Sequence, residues 1–132
     1  MTIQDPISDL LTRVRNAHKS RLRFIEVPFS TIKKSILNVL LLEGYIDGYF
    51  SNIERCGVRF FVVFLKYYKG ESVIRKIIRL SKPSVRVYKS FNCVPRILCG
   101  LGIIILSTPF GVISSKDAFK LRCGGELLCA IE

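Results

Sequence analysis

Small hydroxyl and glycine residues near the carboxyl end of the sequence are suited to contact with a flat, polar ligand. Ser107 and Thr108 directly follow an apolar run at residues 103–106. A glycine pair and a carboxylate come before a second apolar run, namely Gly124, Gly125 and Glu126. Small side chains allow close approach to the backbone, and hydroxyl and carboxylate groups form directional hydrogen bonds. The two segments are therefore candidate binding residues, with Glu126 as an acceptor for an amino group.

A third candidate segment alternates in polarity at residues 85–89. The alternation predicts a strand that presents Arg86 and Tyr88 on one face, next to Lys89. An exposed aromatic ring beside cations on a strand is suited to stacking on RNA bases. The alternative is a tyrosine that packs at the rim of the core.

The charge balance also indicates a polyanionic partner. Lys and Arg number 21 against 10 Asp and Glu, which gives a formal net charge of +11 on 132 residues. Nucleic acid is the simplest such partner, and an anionic membrane surface is the main alternative. No apolar stretch reaches the roughly 18 residues of a membrane span, and Asp5 and Asp9 do not fit the start of a secretion signal.

Catalytic and metal-binding motifs are not recognisable. The acidic residues are scattered, and neither a nucleophile elbow nor a phosphate-binding lysine motif occurs. The cysteines are odd in number and form no CxxC pair: Cys56, Cys93, Cys99, Cys123 and Cys129. This pattern predicts free thiols in a reducing compartment rather than a zinc site or a disulfide framework. We expect no catalytic residue, no cofactor, no metal and no small-molecule substrate.

The residue pattern of the first half of the chain predicts an α-β-α-β-β unit. Asp5 and Pro6 suit the start of a helix, and apolar residues then recur at helical spacing. A short strand at residues 25–27 and a helix between Ser30 and Gly44 follow. Residues 45–50 and 58–68 read as a hairpin around a polar turn at residues 51–57.

Polar positions on the two helices of this unit are candidate phosphate contacts: Thr12, Arg13 and Asn16 on the first helix, Lys33 and Lys34 on the second. The two lysines fall in the first helical turn, where the helix dipole disfavours cations unless an anion lies nearby. The alternative is an ordinary solvated helix face.

The second half predicts a mostly antiparallel β unit with short helices. Strands are expected at residues 73–80 and 85–89, with a turn at 81–84 between them. A short helix is expected from near Val94 to Gly100, before the buried strand at residues 103–106. Ser114 and Asp117 have capping-box spacing for another helix, which ends before a glycine turn and a terminal strand. The fold class is thus α+β, with subdomains at residues 1–70 and 71–132.

Five segments in order resemble the family of bacterial-type small-subunit ribosomal protein eight: residues 5–16, 43–46, 65–67, 81–88 and 100–126. The resemblance implies a structural protein of the small ribosomal subunit that binds the central domain of its ribosomal RNA and assists assembly. It implies an RNA-binding surface on the second unit, formed by Ser107, Thr108, Tyr88, Gly124, Gly125 and Glu126.

The same resemblance implies partners and a location. The partners are neighbouring ribosomal proteins five and twelve and, in several bacteria, the messenger RNA of the protein's own operon, which it represses. The location is the ribosome of the bacterial cytoplasm, or of the matrix or stroma of a bacterium-derived organelle.

The chain departs from the family pattern at Pro109 and Phe110, where Ser or Asn and then Lys or Arg are usual. The departure removes a hydroxyl, a backbone donor and a cation from the expected contact loop. The alternatives to a ribosomal role are a free-standing RNA chaperone or regulator, and a basic protein of the membrane surface.

Overall fold

The computed structural model describes residues 5–96 and 101–132. Its elements in chain order are α1 (Pro6–Lys19), β1 (Phe24–Pro28), α2 (Thr31–Leu42), β2 (Ile46–Arg55), β3 (Val58–Leu65), β4 (Tyr67–Tyr68), β5 (Glu71–Ser72), β6 (Ile77–Arg79), β7 (Tyr88–Lys89), β8 (Ile103–Thr108), β9 (Gly111–Ser114), α3 (Ser115–Leu121) and β10 (Gly125–Ile131). Helices and antiparallel strands are mixed along the chain, which confirms the predicted α+β class.

Two compact units are formed by the described residues, one by Pro6–Ile74 and the other by Asp5 together with Arg75–Glu132. The predicted division at residues 1–70 and 71–132 stays a prediction. Each unit has its own sheet and its own buried apolar residues.

The first unit has a three-stranded antiparallel sheet in the order β1-β3-β2. The apolar stripe of α1 is buried, as its helical spacing predicts: Ile7, Leu10, Leu11, Val14 and Ala17. Alternate residues of β3 are buried as well, at Phe61, Val63 and Leu65. One face of the sheet therefore belongs to the core.

The turn between β2 and β3 is much shorter than the predicted seven residues. Strand pairing continues to Arg55, which lies opposite Val58. The loop consists of Cys56 and Gly57, whose φ angles of 52° and 76° are both positive. Two consecutive positive φ angles are typical of the tight turn that matches strand twist in a hairpin.

The second unit has a sheet in the order β6-β10-β8-β9, with β7 also paired to β10. The run at residues 103–106 forms most of β8, and none of its side chains is more than 1% exposed. This confirms the prediction of a strand that is buried on both faces.

Other predictions for this unit hold only in part. The strand expected at residues 73–80 is limited to Ile77–Arg79, and the strand at residues 85–89 is limited to Tyr88–Lys89. Residues 94–96 are not helical, and the rest of the helix predicted there lies outside the described residues. The cap of α3 is confirmed, since the Ser114 hydroxyl accepts a hydrogen bond from the Asp117 amide at 3.4 Å.

Candidate nucleic-acid interface

Strand pairing brings together the candidate residues of the second unit. Glu126 in β10 lies opposite Ser107 of β8 on one side. On the other side, it lies opposite Tyr88 of β7, and Gly125 lies opposite Lys89. Three segments that are far apart in the sequence thus meet at one end of one sheet.

Gly124 and Gly125 serve close packing rather than a turn. Gly125 lies within β10, and neither glycine has a positive φ angle. A Cβ atom on Gly124 would stand 2.3 Å from the Lys89 carbonyl oxygen, and one on Gly125 would stand 2.1 Å from the Ser107 carbonyl oxygen. The prediction of a glycine turn here is wrong: the absence of side chains lets β7 and β8 approach β10.

The sequence suggested that Ser107 and Thr108 lie in a loop, but both residues belong to β8. The loop that follows is Pro109 and Phe110, because Thr108 already pairs with Gly111 of β9. Phe110 lies at the tip of this loop and is 71% exposed. The half-buried Ser107 and Thr108 are therefore followed along the chain by the exposed ring of Phe110.

The Thr108 hydroxyl is used inside this hairpin. Its Oγ1 atom donates to the Gly111 carbonyl oxygen at 2.8 Å and accepts from the Phe110 amide at 3.2 Å. In the free protein this hydroxyl has no proton left to donate to a ligand, because its single proton already has an acceptor. Thr108 instead holds the shape of the hairpin, and the Oγ1 atom keeps one lone pair for a further bond.

Glu126 is paired with a cation. Its Oε1 atom accepts from Arg86 Nη1 at 3.0 Å, and the Glu126 side chain is only 18% exposed. Arg86 thus neutralises the carboxylate that was expected to accept from a ligand and occupies one of its two oxygen atoms. The Tyr88 ring, 67% exposed, and the exposed Lys89 side chain have no such restriction.

The candidates of the first unit separate into exposed and buried residues. Thr12, Asn16 and Lys34 are exposed. Arg13 is also exposed, but its Nε atom lies 3.0 Å from Asp9 Oδ2. That carboxylate removes part of the positive charge which a phosphate would meet.

Lys33 is buried, and the expectation that it contacts a phosphate is wrong. Its side chain is 2% exposed, and its Nζ atom lies 3.5 Å from Asp9 Oδ2. The ammonium group also donates to the Pro28 carbonyl oxygen at 3.4 Å. Burial lowers the pKa of Lys33, and the Asp9 charge partly opposes this change. The conflict between this cation and the helix dipole is therefore relieved within the protein.

A groove beside α1 contains residues that the sequence did not single out. Its volume is about 460 Å³, and it runs between α1 and the edge strand β1. Arg13 and Asn16 line it together with Leu22 and Phe24, which are 49% and 52% exposed. Phe24 was missed because the alternation of β1 alone does not show which face of the strand remains exposed, and Leu22 lies before that strand.

Among the described residues, no group of His, Cys, Asp and Glu could hold a metal ion. Cys56 and Cys93 are free and exposed, and Cys129 is free and buried. Burial raises the pKa of the Cys129 thiol to about 12. Cys99 lies outside the described residues. Within the described part of the chain, every helix is too short or too polar to span a membrane.

Comparison with known proteins gives consistent matches. The family model described as "Ribosomal protein S8" matches residues 5–131. The chain is 47% identical over 131 residues to "Small ribosomal subunit protein uS8" of Rhodospirillum centenum, and the alignment covers 99% of each chain. Proteins of the same name are 47% identical in Azorhizobium caulinodans and 44% identical in Anaplasma marginale, again over 99% of each chain.

Proposed function

Since this chain belongs to the ribosomal protein S8 family, we propose that it binds small-subunit ribosomal RNA mainly through the end of the sheet where β7, β8 and β10 meet. The chain is a structural constituent of the small ribosomal subunit, like its relatives. The two alternatives considered from the sequence, a free-standing RNA chaperone or regulator and a basic protein of the membrane surface, are not favoured, because this family consists of ribosomal proteins.

One observation supports this site above the others. Ser107, Glu126 and Tyr88 come from three separate segments, yet strand pairing holds them side by side. Their backbones belong to a sheet with a buried centre, so little conformational entropy is lost when RNA binds. The Tyr88 ring offers a stacking surface, and the Ser107 hydroxyl has no hydrogen-bond partner among the described residues.

The exposed polar residues of α1, together with Lys34 of α2, contribute a second, less specific contact. Thr12, Asn16 and Lys34 are exposed together with Arg13, whose charge Asp9 partly neutralises. We assign phosphate contacts to these residues and none to the buried Lys33. Such contacts provide salt-dependent affinity but read no base sequence.

The finer assignments follow the family resemblance. We propose that the RNA site lies in the central domain and that ribosomal proteins five and twelve are neighbours. Repression of the messenger RNA of its own operon is a further proposal. The protein works in the cytoplasm as part of the ribosome, and an organellar ribosome is the other proposed setting.

Sedimentation and salt titration test the function together. The protein should co-sediment with the small subunit and bind a central-domain RNA fragment more tightly than a scrambled RNA of equal length. With about five phosphate contacts, the log–log slope of affinity against salt should be near −4. An affinity that is flat between low and moderate salt, or sedimentation with membrane vesicles instead, would contradict the proposal.

A further inference from the structure

A cavity in the second unit lies apart from the residues assigned above. It has a volume of about 290 Å³ and lies between α3 and the segment that follows β7. Phe91, Val94 and Phe119 form its apolar walls. The rings of Phe91 and Phe119 meet edge to face, with centroids 6.1 Å apart at an angle of 64°. Phe119 remains 57% exposed, so one aromatic ring of the cavity is still available to a ligand.

The rim of the cavity is positively charged. Arg96, Lys116 and Lys120 line it and are exposed. Among the described residues, none of these three side chains takes part in an ion pair, and the described lining contains no Asp or Glu. Aromatic walls beneath three unpaired cations suit a ligand that combines a flat ring with negative charge.

We propose that this cavity receives the base of an unpaired RNA nucleotide, while Arg96, Lys116 and Lys120 contact the adjoining phosphates. The inference rests on the proposed RNA-binding function and adds a separate contact to it. The volume lies just below the range of about 300–1,000 Å³ that is usual for ligand sites, which suits one base rather than a larger ligand. Stacking on aromatic side chains is the usual way in which proteins hold unpaired bases.

The test uses the full chain, which contains no tryptophan, and a fluorescent base. The probe is a single-stranded ribohexanucleotide with one 2-aminopurine, whose fluorescence falls when the base stacks. The wild-type protein should quench it, and Phe119→Ala should weaken this binding about tenfold or more. The matched control is Phe50→Ala, because Phe50 is 62% exposed and belongs to the first unit.

A variant with fewer positive charges tests the proposal without changing Phe119. Lys116→Gln combined with Lys120→Gln should weaken binding of the probe at least fivefold. Lys19→Gln combined with Lys69→Gln removes the same charge from exposed positions of the first unit and should have a clearly smaller effect. Thermal unfolding of every variant should match that of the wild type.

Three outcomes would overturn the inference. The first is quenching that persists at unchanged affinity in Phe119→Ala. The second is equal affinity for 2-aminopurine riboside 5′-monophosphate, which would make the cavity a site for a free nucleotide. The third is no quenching while the central-domain RNA fragment still binds, in which case the proposed function stands alone. Loss of both kinds of binding would contradict the proposed function itself.

Discussion

Gly125 packs so closely against Ser107 that a Cβ atom on Gly125 would stand 2.1 Å from the Ser107 carbonyl oxygen. The obstacle is backbone and not a flexible side chain. We therefore expect Gly125→Ala to push β8 and β10 apart and to lower the free energy of unfolding by about 1–3 kcal/mol. Urea denaturation monitored by circular dichroism measures this change.

Gly48→Ala is the matched control for that substitution. Gly48 lies in β2, its φ angle is not positive, and a Cβ atom there would meet nothing within 4 Å. Its replacement should change the free energy of unfolding by less than about 0.5 kcal/mol. Equal effects of the two substitutions would show that close packing does not explain Gly125.

Asp9→Asn should reveal the buried cation. Loss of the carboxylate leaves the Lys33 ammonium without its charge partner. The free energy of unfolding should therefore fall by about 2 kcal/mol, which lies between the values for exposed and buried ion pairs. Because burial lowers the pKa of Lys33 and Asp9 opposes this, the variant should lower the pKa further. Asp47→Asn, at an exposed position of β2, is the control.

The pH dependence of this variant has a definite sign. Between the lowered pKa of folded Lys33 and the ordinary value of 10.5, the unfolded chain binds a proton that the folded chain has released. The free energy of unfolding contributed by this group therefore rises with pH in that window and is lost as the pH falls below it. The rise should be larger in Asp9→Asn than in the wild type when urea unfolding is repeated at several alkaline pH values. An identical pH profile would mean that Lys33 does not depend on Asp9.

Thr108 allows the hydroxyl and the shape of the side chain to be separated. Thr108→Val keeps the shape but removes both hydrogen bonds of the hairpin, so the free energy of unfolding should fall by about 1 kcal/mol. Affinity for the central-domain RNA fragment should fall as well, because the Pro109–Phe110 loop loses its support. Thr108→Ser keeps the hydroxyl and should retain more of both properties. RNA affinity that is higher in Thr108→Val than in Thr108→Ser would contradict this role.

Arg86 and Glu126 should behave as a unit in RNA binding. Arg86→Ala removes a cation and also leaves the Glu126 carboxylate unneutralised beside the proposed site. The affinity for RNA should therefore fall more than in Lys89→Ala, which removes a cation alone. Adding Glu126→Gln to Arg86→Ala should restore part of the affinity. Filter binding of the wild type, Arg86→Ala, Glu126→Gln and the double variant gives the coupling directly, and strictly additive effects would show that the pair is not coupled.

The cysteines should differ in reactivity according to burial. At pH 8, iodoacetamide should modify the exposed Cys56 and Cys93 in the folded protein, whereas Cys129 should not react, because burial raises its pKa to about 12. Mass spectrometry of the peptides measures the modification. Denaturation in guanidinium before alkylation is the control and should make Cys129 reactive. Rapid modification of Cys129 in the folded protein would contradict its burial.

Elements whose signal is local were predictable from the sequence. The stripe of α1 repeats every three or four residues, and β8 is a continuous apolar run, so neither depends on distant contacts. The strand β7 was overestimated because the alternation at residues 85–89 continues beyond the residues that pair. The run at residues 73–80 does not alternate, and only Ile77–Arg79 of it pairs as β6.

The details of the site depended on contacts that no local pattern contains. Lys33 and Asp9 are 24 positions apart, and their pairing decides that a lysine of the first helical turn is buried. Arg86 and Glu126 are 40 positions apart, and their pairing neutralises a carboxylate that was expected to face a ligand. Gly125 read as a turn residue because the sequence does not show that the backbone of β8 lies against it.

The position of β10 in its sheet constrains the order of events during synthesis. β6, β7 and β8 all pair with β10, and each of them is translated before it. The first unit has no such dependence, since Pro6–Ile74 contains every strand of its sheet. At about 5–20 residues per second, a nascent chain can fold the first unit seconds before the second sheet can close. The exposed polar residues of α1 can therefore contact a polyanion before the sheet that holds Tyr88, Ser107 and Glu126 has formed.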